Sequence, residues 1–437
     1  MPDGAIKKAQ KMKRKVEMSK KNQAKAKGQW SGPTNLLGGL APVLEGMRVL
    51  DFGRYVACPY GGMLLADMGA EVIRIEPPGG SADRGLGAFT STGESIPYGM
   101  ITCRNKKDIT LDISRNEGLD ILGRLVSTAD VVMHSFSPGA PEAKILSYDH
   151  LGTINPRIIV VSVSGFGKTG PYAQRPGFDS VAQALSSMMS WCGFPGTPPT
   201  RASLAVIDCS TGLMAAYSAA LCLLNRYKTG LGQEVDLGLL DTAVSFVATM
   251  GIPAEVALLN YERSQVGNSS FYNFSNAFRT KDGRWIMLSA VGNRIWRRLV
   301  KALGVVELAD DPSLKDDMSR FKNRSLIEPI FSRLAENYTA AEFVEILQKA
   351  RVPCGEIKSP AEMVKDPQVS ARELLVDVDY PGIGKVPLPG IVPKLSRSPG
   401  SIRKRASALG ENNDEIYLKE LNLSGKELER LKKEGIV

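Results

Sequence analysis

Residues 47–76 read MRVLDFGRYVACPYGGMLLADMGAEVIRIE. Met47-Arg48-Val49-Leu50-Asp51-Phe52 is a short apolar run of the kind that forms a buried strand. Residues 59–68 are small and apolar with Pro59 at the start, a helix with proline in its first turn. Glu71-Val72-Ile73-Arg74-Ile75-Glu76 is a second strand, closed by Pro77-Pro78-Gly79-Gly80. Strand, helix and strand in so short a stretch make a βαβ unit. Such a unit implies a parallel sheet with a right-handed crossover.

The alternation continues downstream. Strands are expected at 108–113, 131–136, 157–164 and 234–237, with helices at 116–126 and 148–154 between them. The strands are nearly continuous runs of Val and Ile, as strands covered on both faces should be. A doubly wound α/β domain follows. From Pro176 the texture shifts to helices rich in Ala, Ser, Met and Leu, at 178–190, 212–226 and 239–259. Residues 265–355 combine a strand at 285–290 with helices near 294–303, 325–336 and 340–349, a smaller α+β domain. The expected layout is a basic tail and linker over 1–40, a large domain over 41–260 and 356–437, and the small domain over 265–355.

The chain has 437 residues and a net charge of +9. Residues 1–30 hold ten Lys/Arg against Asp3 and Glu17, so they carry +8 of it. The folded body is nearly neutral, which argues against a nucleic-acid role for it. No apolar run reaches the ~18 residues of a membrane span, and no secretory signal is visible. The six cysteines are dispersed and never form Cys-x-x-Cys, which fits free thiols in a reducing, cytoplasmic setting. Only two histidines are present, His134 and His150, which removes most metal sites built on His.

Gly165-Phe166-Gly167-Lys168-Thr169-Gly170 spells the dinucleotide glycine pattern, but it fails as one. Pro171 stands where the phosphate-binding helix should run, and the loop comes late in the alternation. Ala205-Val206-Ile207-Asp208-Cys209-Ser210-Thr211-Gly212 is more informative. An apolar run stops at a carboxylate and a long small-residue helix follows. Asp208 sits at a helix start, either as an N-cap or as a carboxylate placed to act as a nucleophile.

Several stretches, taken in order, carry a family resemblance. They are 44–52 with Ala57-Cys58-Pro59, 65–80, 104–112, Ser137-Pro138-Gly139-Ala140, 165–172 with Arg175-Pro176-Gly177-Phe178-Asp179, 207–212, 228–236 and Leu409-Gly410-Glu411-Asn412-Asn413. The set resembles the family III CoA-transferases, the formyl-CoA and carnitine CoA-transferase group, and the related α-methylacyl-CoA racemases. The resemblance implies a Rossmann-like large domain with a parallel sheet, a smaller domain, and two chains interlocked as a dimer. It implies no permanently bound cofactor and no metal. A coenzyme A thioester and a carboxylic acid are the implied substrates.

The resemblance also implies residue roles. Asp208 matches the transferase nucleophile that carries CoA as an aspartyl thioester. Val56 and Ala57 match a contact beside the pantetheine. Arg104, Asn105, Lys106 and Lys107 match a basic segment that meets CoA's phosphates. Ser135, Phe136 and Ser137 match a loop near the adenine and pantetheine. Tyr55, Phe178, Asp179, Trp191 and the loop with Gly267 and Asn268 are the implied pocket walls. Val56 is apolar where formyl-CoA transferases carry an amide, which implies a branched or aromatic acid rather than oxalate. The rival activities are a racemase, which moves a proton α to the thioester, and a non-catalytic subunit of a heteromer. The racemases have Gly-His-Asp where this chain has Gly177-Phe178-Asp179, and Phe178 cannot relay a proton.

Overall fold

The computed structural model describes residues 41–437. The basic tail expected over residues 1–40 lies outside the described residues. Six strands form one sheet: β1 (Arg48–Phe52), β2 (Glu71–Glu76), β3 (Lys106–Thr110), β4 (Val131–His134), β5 (Ile159–Ser164) and β6 (Glu234–Gly238). Their spatial order is β3-β2-β1-β4-β5-β6 and each neighbouring pair is parallel. This is the order of a doubly wound sheet, whose direction reverses between β1 and β4.

Side chains alternate across the sheet. Leu50, Phe52, Ile73, Ile75, Val132 and Val160 face one core, shared with the helices α2 (Asn116–Val126) and α3 (Tyr148–Ile154). Val49, Val72, Val131, Met133, Ile159 and Val161 face a second core. There they meet α1 (Ala57–Asp67), α4 (Asp179–Leu185), α5 (Val206–Thr229) and α6 (Leu239–Thr249). The C-terminal segment returns to the first face with Ile416, Tyr417, Leu428, Leu431 and Ile436. It also covers the open edge of β3. The Asp108 N–H donates to Asn412 Oδ1 (2.9 Å), the Thr110 N–H donates to Asn413 Oδ1 (3.0 Å), and the Asn412 N–H donates to the Asp108 carbonyl (2.9 Å). Two amide side chains thus stand in for a seventh strand.

Helix α5 starts at Val206, six residues before the expected Gly212, because Cys209, Ser210 and Thr211 continue the helix instead of preceding it. Gly230, in the left-handed conformation, ends it. It is also long and apolar enough to cross a membrane, but its small residues pack it on α1. At that crossing a side chain on Gly212 would meet the Ala57 carbonyl at 2.4 Å, and one on Gly61 would meet the Gly212 carbonyl at 2.9 Å. Only glycine permits this approach. The expected helix over 178–190 breaks at Ser187 (φ 67°). That over 239–259 divides at Gly251 and Pro253 into α6 and α7 (Ile252–Leu259), bent by 57°.

A third cluster of buried side chains, from Phe274 to Val352, fills a smaller body. Its antiparallel sheet is β7 (Phe274–Arg279), β8 (Trp285–Ala290) and β9 (Cys354–Glu356), in that order. Helices α8 (Gly292–Ala302), α9 (Arg324–Ala335) and α10 (Ala340–Lys349) pack on it through Trp296, Phe331 and Phe343. A two-stranded hairpin, β10 (Leu375–Tyr380) with β11 (Gly384–Pro389), joins the larger body.

Candidate active site

Doubly wound sheets bind ligands outside the carboxyl ends of their strands, where the order reverses. A cleft of 350 Å³ lies there. Its walls include Tyr55, Val56 and Ala57 after β1, Ser135, Phe136 and Ser137 after β4, Phe178 before α4, and Asp208 in α5. Eight of the residues expected from the sequence therefore meet at one place.

Backbone geometry builds this wall. Tyr55 adopts the left-handed conformation (φ 64°), which costs a residue with a side chain. Its N–H donates to Asp83 Oδ2 (2.9 Å), and the neighbouring Arg54 N–H donates to Ser135 Oγ (2.8 Å). Asp83 is held in turn by Arg74 (3.0 Å), both wholly buried. The Tyr55 ring meets Phe178 edge to face, 5.3 Å between centres.

Asp208 is not the helix cap. It is the third residue of α5, and Ala205 stands at the cap position with no side-chain bond. The capping is supplied from outside by Asp179. Its Oδ2 accepts from the N–H groups of Ile207 (2.7 Å) and Asp208 (3.1 Å), two of the donors a helix start leaves unpaired. Gln183 donates to Asp179 Oδ1 (2.5 Å) and accepts from the Ala202 N–H (2.9 Å). Asp179 is buried beneath the cleft and does not line it. The Val206 N–H is bound to the Leu204 carbonyl (2.8 Å), so the N–H groups at this helix start have their acceptors within the chain. The glycine loop after β5 is similar: Gly167 N–H donates to Ser164 Oγ and Lys168 N–H to Asp236 Oδ2 (both 2.9 Å).

Relieved of capping, the Asp208 carboxylate has no hydrogen-bond or ionic partner among the described residues and faces the cleft. Burial, and secondarily the negative charge of Asp179, push its pKa up to about 7.

The basic turn behaves otherwise. Arg104 pairs with Asp67 (2.7 Å) and also donates to the Pro389 carbonyl. Asn105 donates to the same Asp67 (2.8 Å), and Lys106 pairs with Asp51 (2.7 Å). All three are buried, and Lys107 is bound to Glu71 (2.5 Å) and Glu415 (2.8 Å). None lines the cleft. The charges of this turn are matched by internal carboxylates. Gly267 and Asn268 also lie off the cleft: Gly267 is tied to the Gly193 carbonyl (2.9 Å) and packed on Phe194. Trp191 instead meets Phe271 edge to face.

Sequence reasoning missed two cations that do line the cleft, Arg54 and Arg175. Both stand inside the quoted stretches, and each is followed within three residues by an expected wall residue. Among the described residues no three His, Cys, Asp or Glu side chains are grouped to hold a metal.

Residues 44–413 match CoA-transferase family III. The chain belongs to the family III CoA-transferases. It is 35% identical over 397 residues to the succinyl-CoA–D-citramalate CoA-transferase of Chloroflexus aurantiacus, covering 90% of this chain and 98% of that protein. It is 33% identical to the beta subunit of succinyl-CoA–L-malate CoA-transferase from the same organism, with 90% and 98% covered. A CAIB/BAIF family protein from Brucella suis shares the fold, with a TM-score of 0.76 at 28% identity over 87% of this chain and all of that one. This transferase therefore moves CoA between an acyl-CoA and a carboxylic acid.

Proposed function

We propose that the transferase carries CoA on Asp208. An Asp208 oxygen attacks the acyl carbon of the donor thioester and the C–S bond breaks, giving a mixed anhydride and CoA thiolate. The thiolate attacks the Asp208 carbonyl carbon, and the donor acid leaves as a carboxylate. The acceptor carboxylate then attacks this aspartyl thioester and releases the thiolate. The thiolate takes the acceptor's acyl carbon and returns Asp208 to its free form. Each thioester is replaced by another, so no nucleotide is consumed. Covalent capture divides one exchange into easier steps.

One observation carries this reading: the Asp208 carboxylate, in the first turn of α5, faces the cleft without a partner among the described residues, while Asp179 does the capping. A partly desolvated, unpaired carboxylate is a stronger nucleophile than a solvated one. Ser135, Phe136, Val56 and Ala57 would hold the pantetheine arm. A second cleft, lined by Phe52, Ile75, Pro77, Leu111 and Ile113, shares Arg54, Phe136 and Glu142 with the first and would take the nucleotide end. Similarity to transferases named for succinyl-CoA supports succinyl-CoA as donor. In the test, enzyme incubated with succinyl-CoA is quenched with hydroxylamine and digested. The hydroxamate is expected on the Asp208 peptide, and Asp208→Ala is expected to lose both the adduct and at least about a thousandfold in kcat. An Asp208→Ala enzyme that still transfers CoA at the wild-type rate would end this reading.

The working unit is proposed to be a pair of chains. Leu213, Tyr217, Leu221 and Leu224 form a stripe along the outer face of α5 at helical spacing, with Tyr227 89% exposed beyond it. Leu258 and Leu259 of α7 are also exposed, at 80% and 70%. Apolar surface of this extent marks an interface. Light scattering of the purified protein should give twice the chain mass, and Tyr217→Glu with Leu221→Glu should return it to one. A wild-type protein at the single-chain mass would refute the pairing.

A further inference from the structure

Two guanidinium groups in the Asp208 cleft are left unsatisfied by the chain itself. Arg54 follows β1 and Arg175 lies in the loop between β5 and α4. Neither side chain has a carboxylate partner or a hydrogen-bond acceptor among the described residues. Each instead lies on an aromatic ring: the Arg54 Cζ is 4.6 Å from the centre of Phe136, and the Arg175 Cζ is 3.9 Å from that of Tyr172. Stacking of this kind orients a guanidinium and leaves its in-plane N–H donors free. Tyr172 is itself braced by Phe166, ring centres 5.7 Å apart.

The contrast with the other cations packed against the sheet is direct. Arg74 is bound to Glu76 and Asp83, Arg84 to Glu76 and Asp108, Arg104 to Asp67, and Lys106 to Asp51. Of the acids in the cleft, Glu142 forms no ion pair with either free arginine, and Asp208 is the proposed nucleophile. A planar fork of donors, fixed on an aromatic base and without an internal acceptor, matches the two oxygens of a carboxylate or phosphate.

We propose that Arg54 and Arg175 are the anion-reading pair of this cleft, binding carboxylate or phosphate oxygens of the substrate that are not at the reacting carbon. The inference rests on the Asp208 reading only for where the reacting carbon lies. Two substrate groups have the required chemistry, the second carboxylate of a dicarboxylic acid and the phosphates of CoA. Arg54 borders both clefts, while Arg175 borders only the one that holds Asp208.

The experiment uses the full-length protein with Arg54→Met and Arg175→Met, which keep an apolar stem over each ring. Each variant is assayed with succinyl-CoA, with butyryl-CoA, which lacks the second carboxylate, and with succinyl-pantetheine, which lacks the phosphates. Loss of one charge-assisted fork is expected to lower kcat/KM for succinyl-CoA by about 10- to 100-fold. A loss that disappears with butyryl-CoA assigns the arginine to the second carboxylate. One that disappears with succinyl-pantetheine assigns it to the phosphates. Arg→Lys should recover part of the loss, since charge returns without the fork. Wild-type rates in both variants, or an equal loss on all three substrates, would overturn the proposal. A substrate-selective loss supports the pair whichever residue carries CoA, and hydroxylamine labelling in the same samples reports on Asp208 separately.

Discussion

Two groups of charges are positioned by one sheet, one at the start of β3 beneath α1 and one beyond the carboxyl ends of the strands, and the fold treats them in opposite ways. Under α1, Arg104 and Lys106 are buried on Asp67 and Asp51, and Lys106 also donates to the Pro59 carbonyl (2.7 Å). In the cleft, Arg54, Arg175 and Asp208 meet no opposite charge from the chain. The first group is a set of internal ties. It fixes α1 and the C-terminal segment, since Asn105 also donates to the Ser401 carbonyl (2.9 Å) and accepts from the Arg403 N–H (2.6 Å). The second group is what remains available to a ligand. The residue types are the same; the partners differ.

The largest effect that separates the groups is on stability. Removing one member of a buried pair leaves the other charged and unpaired, at a cost of about 3–5 kcal/mol. Arg104→Met and Lys106→Met are therefore expected to lower the urea midpoint sharply, with the KM for the thioester unchanged in whatever protein remains folded. Arg54→Met and Arg175→Met should shift the same midpoint by no more than about 0.5 kcal/mol. Equal destabilisation in both groups would mean that the cleft arginines are structural ties as well. A KM effect confined to Arg104 or Lys106 would return the basic turn to the ligand.

This difference was not legible in the sequence, and the reason is physical. Periodicity reports burial along one element, and it located β2, α2, α3, β8 and α10 at their observed ends. It also brought together the walls of the cleft, because Tyr55, Ser135 and Asp208 each follow or open an element whose type was clear. Whether a cation is free depends on a carboxylate brought to it by the fold. Asp67 lies 37 residues from Arg104, and Glu420 lies 313 from Lys107. The same limit hid the cap of α5, since Asp179 reaches it from 28 residues upstream of Ile207. It also hid the role of Asn412 and Asn413, whose side chains close a sheet edge about 300 residues earlier in the chain.

The smaller effect concerns pH and falls on the carboxylates. The Asp208 pKa is pushed up to about 7 because the carboxylate is half-buried without a cation and, to a lesser degree, because Asp179 is close. The proposed reaction needs it ionised, so kcat/KM should fall about tenfold for each pH unit below about 7. Asp179→Asn keeps an oxygen for the Ile207 and Asp208 N–H groups and removes the negative charge. The acid limb should then move to lower pH, though not to ~3.9, since burial is the larger cause. Stability changes in the opposite sense. The native state holds the Asp208 proton more tightly than the unfolded chain does. The contribution of this group is thus complete below ~4 and is lost as pH rises through about 7. Asp208→Asn, which cannot ionise, should unfold at a higher temperature than the wild type at pH 8 and at the same temperature at pH 4. A rate profile flat down to pH 5, with no gain in Asp208→Asn at pH 8, would mean that Asp208 has found a cation in the working enzyme. The cleft would then be no different in kind from the paired charges beneath α1.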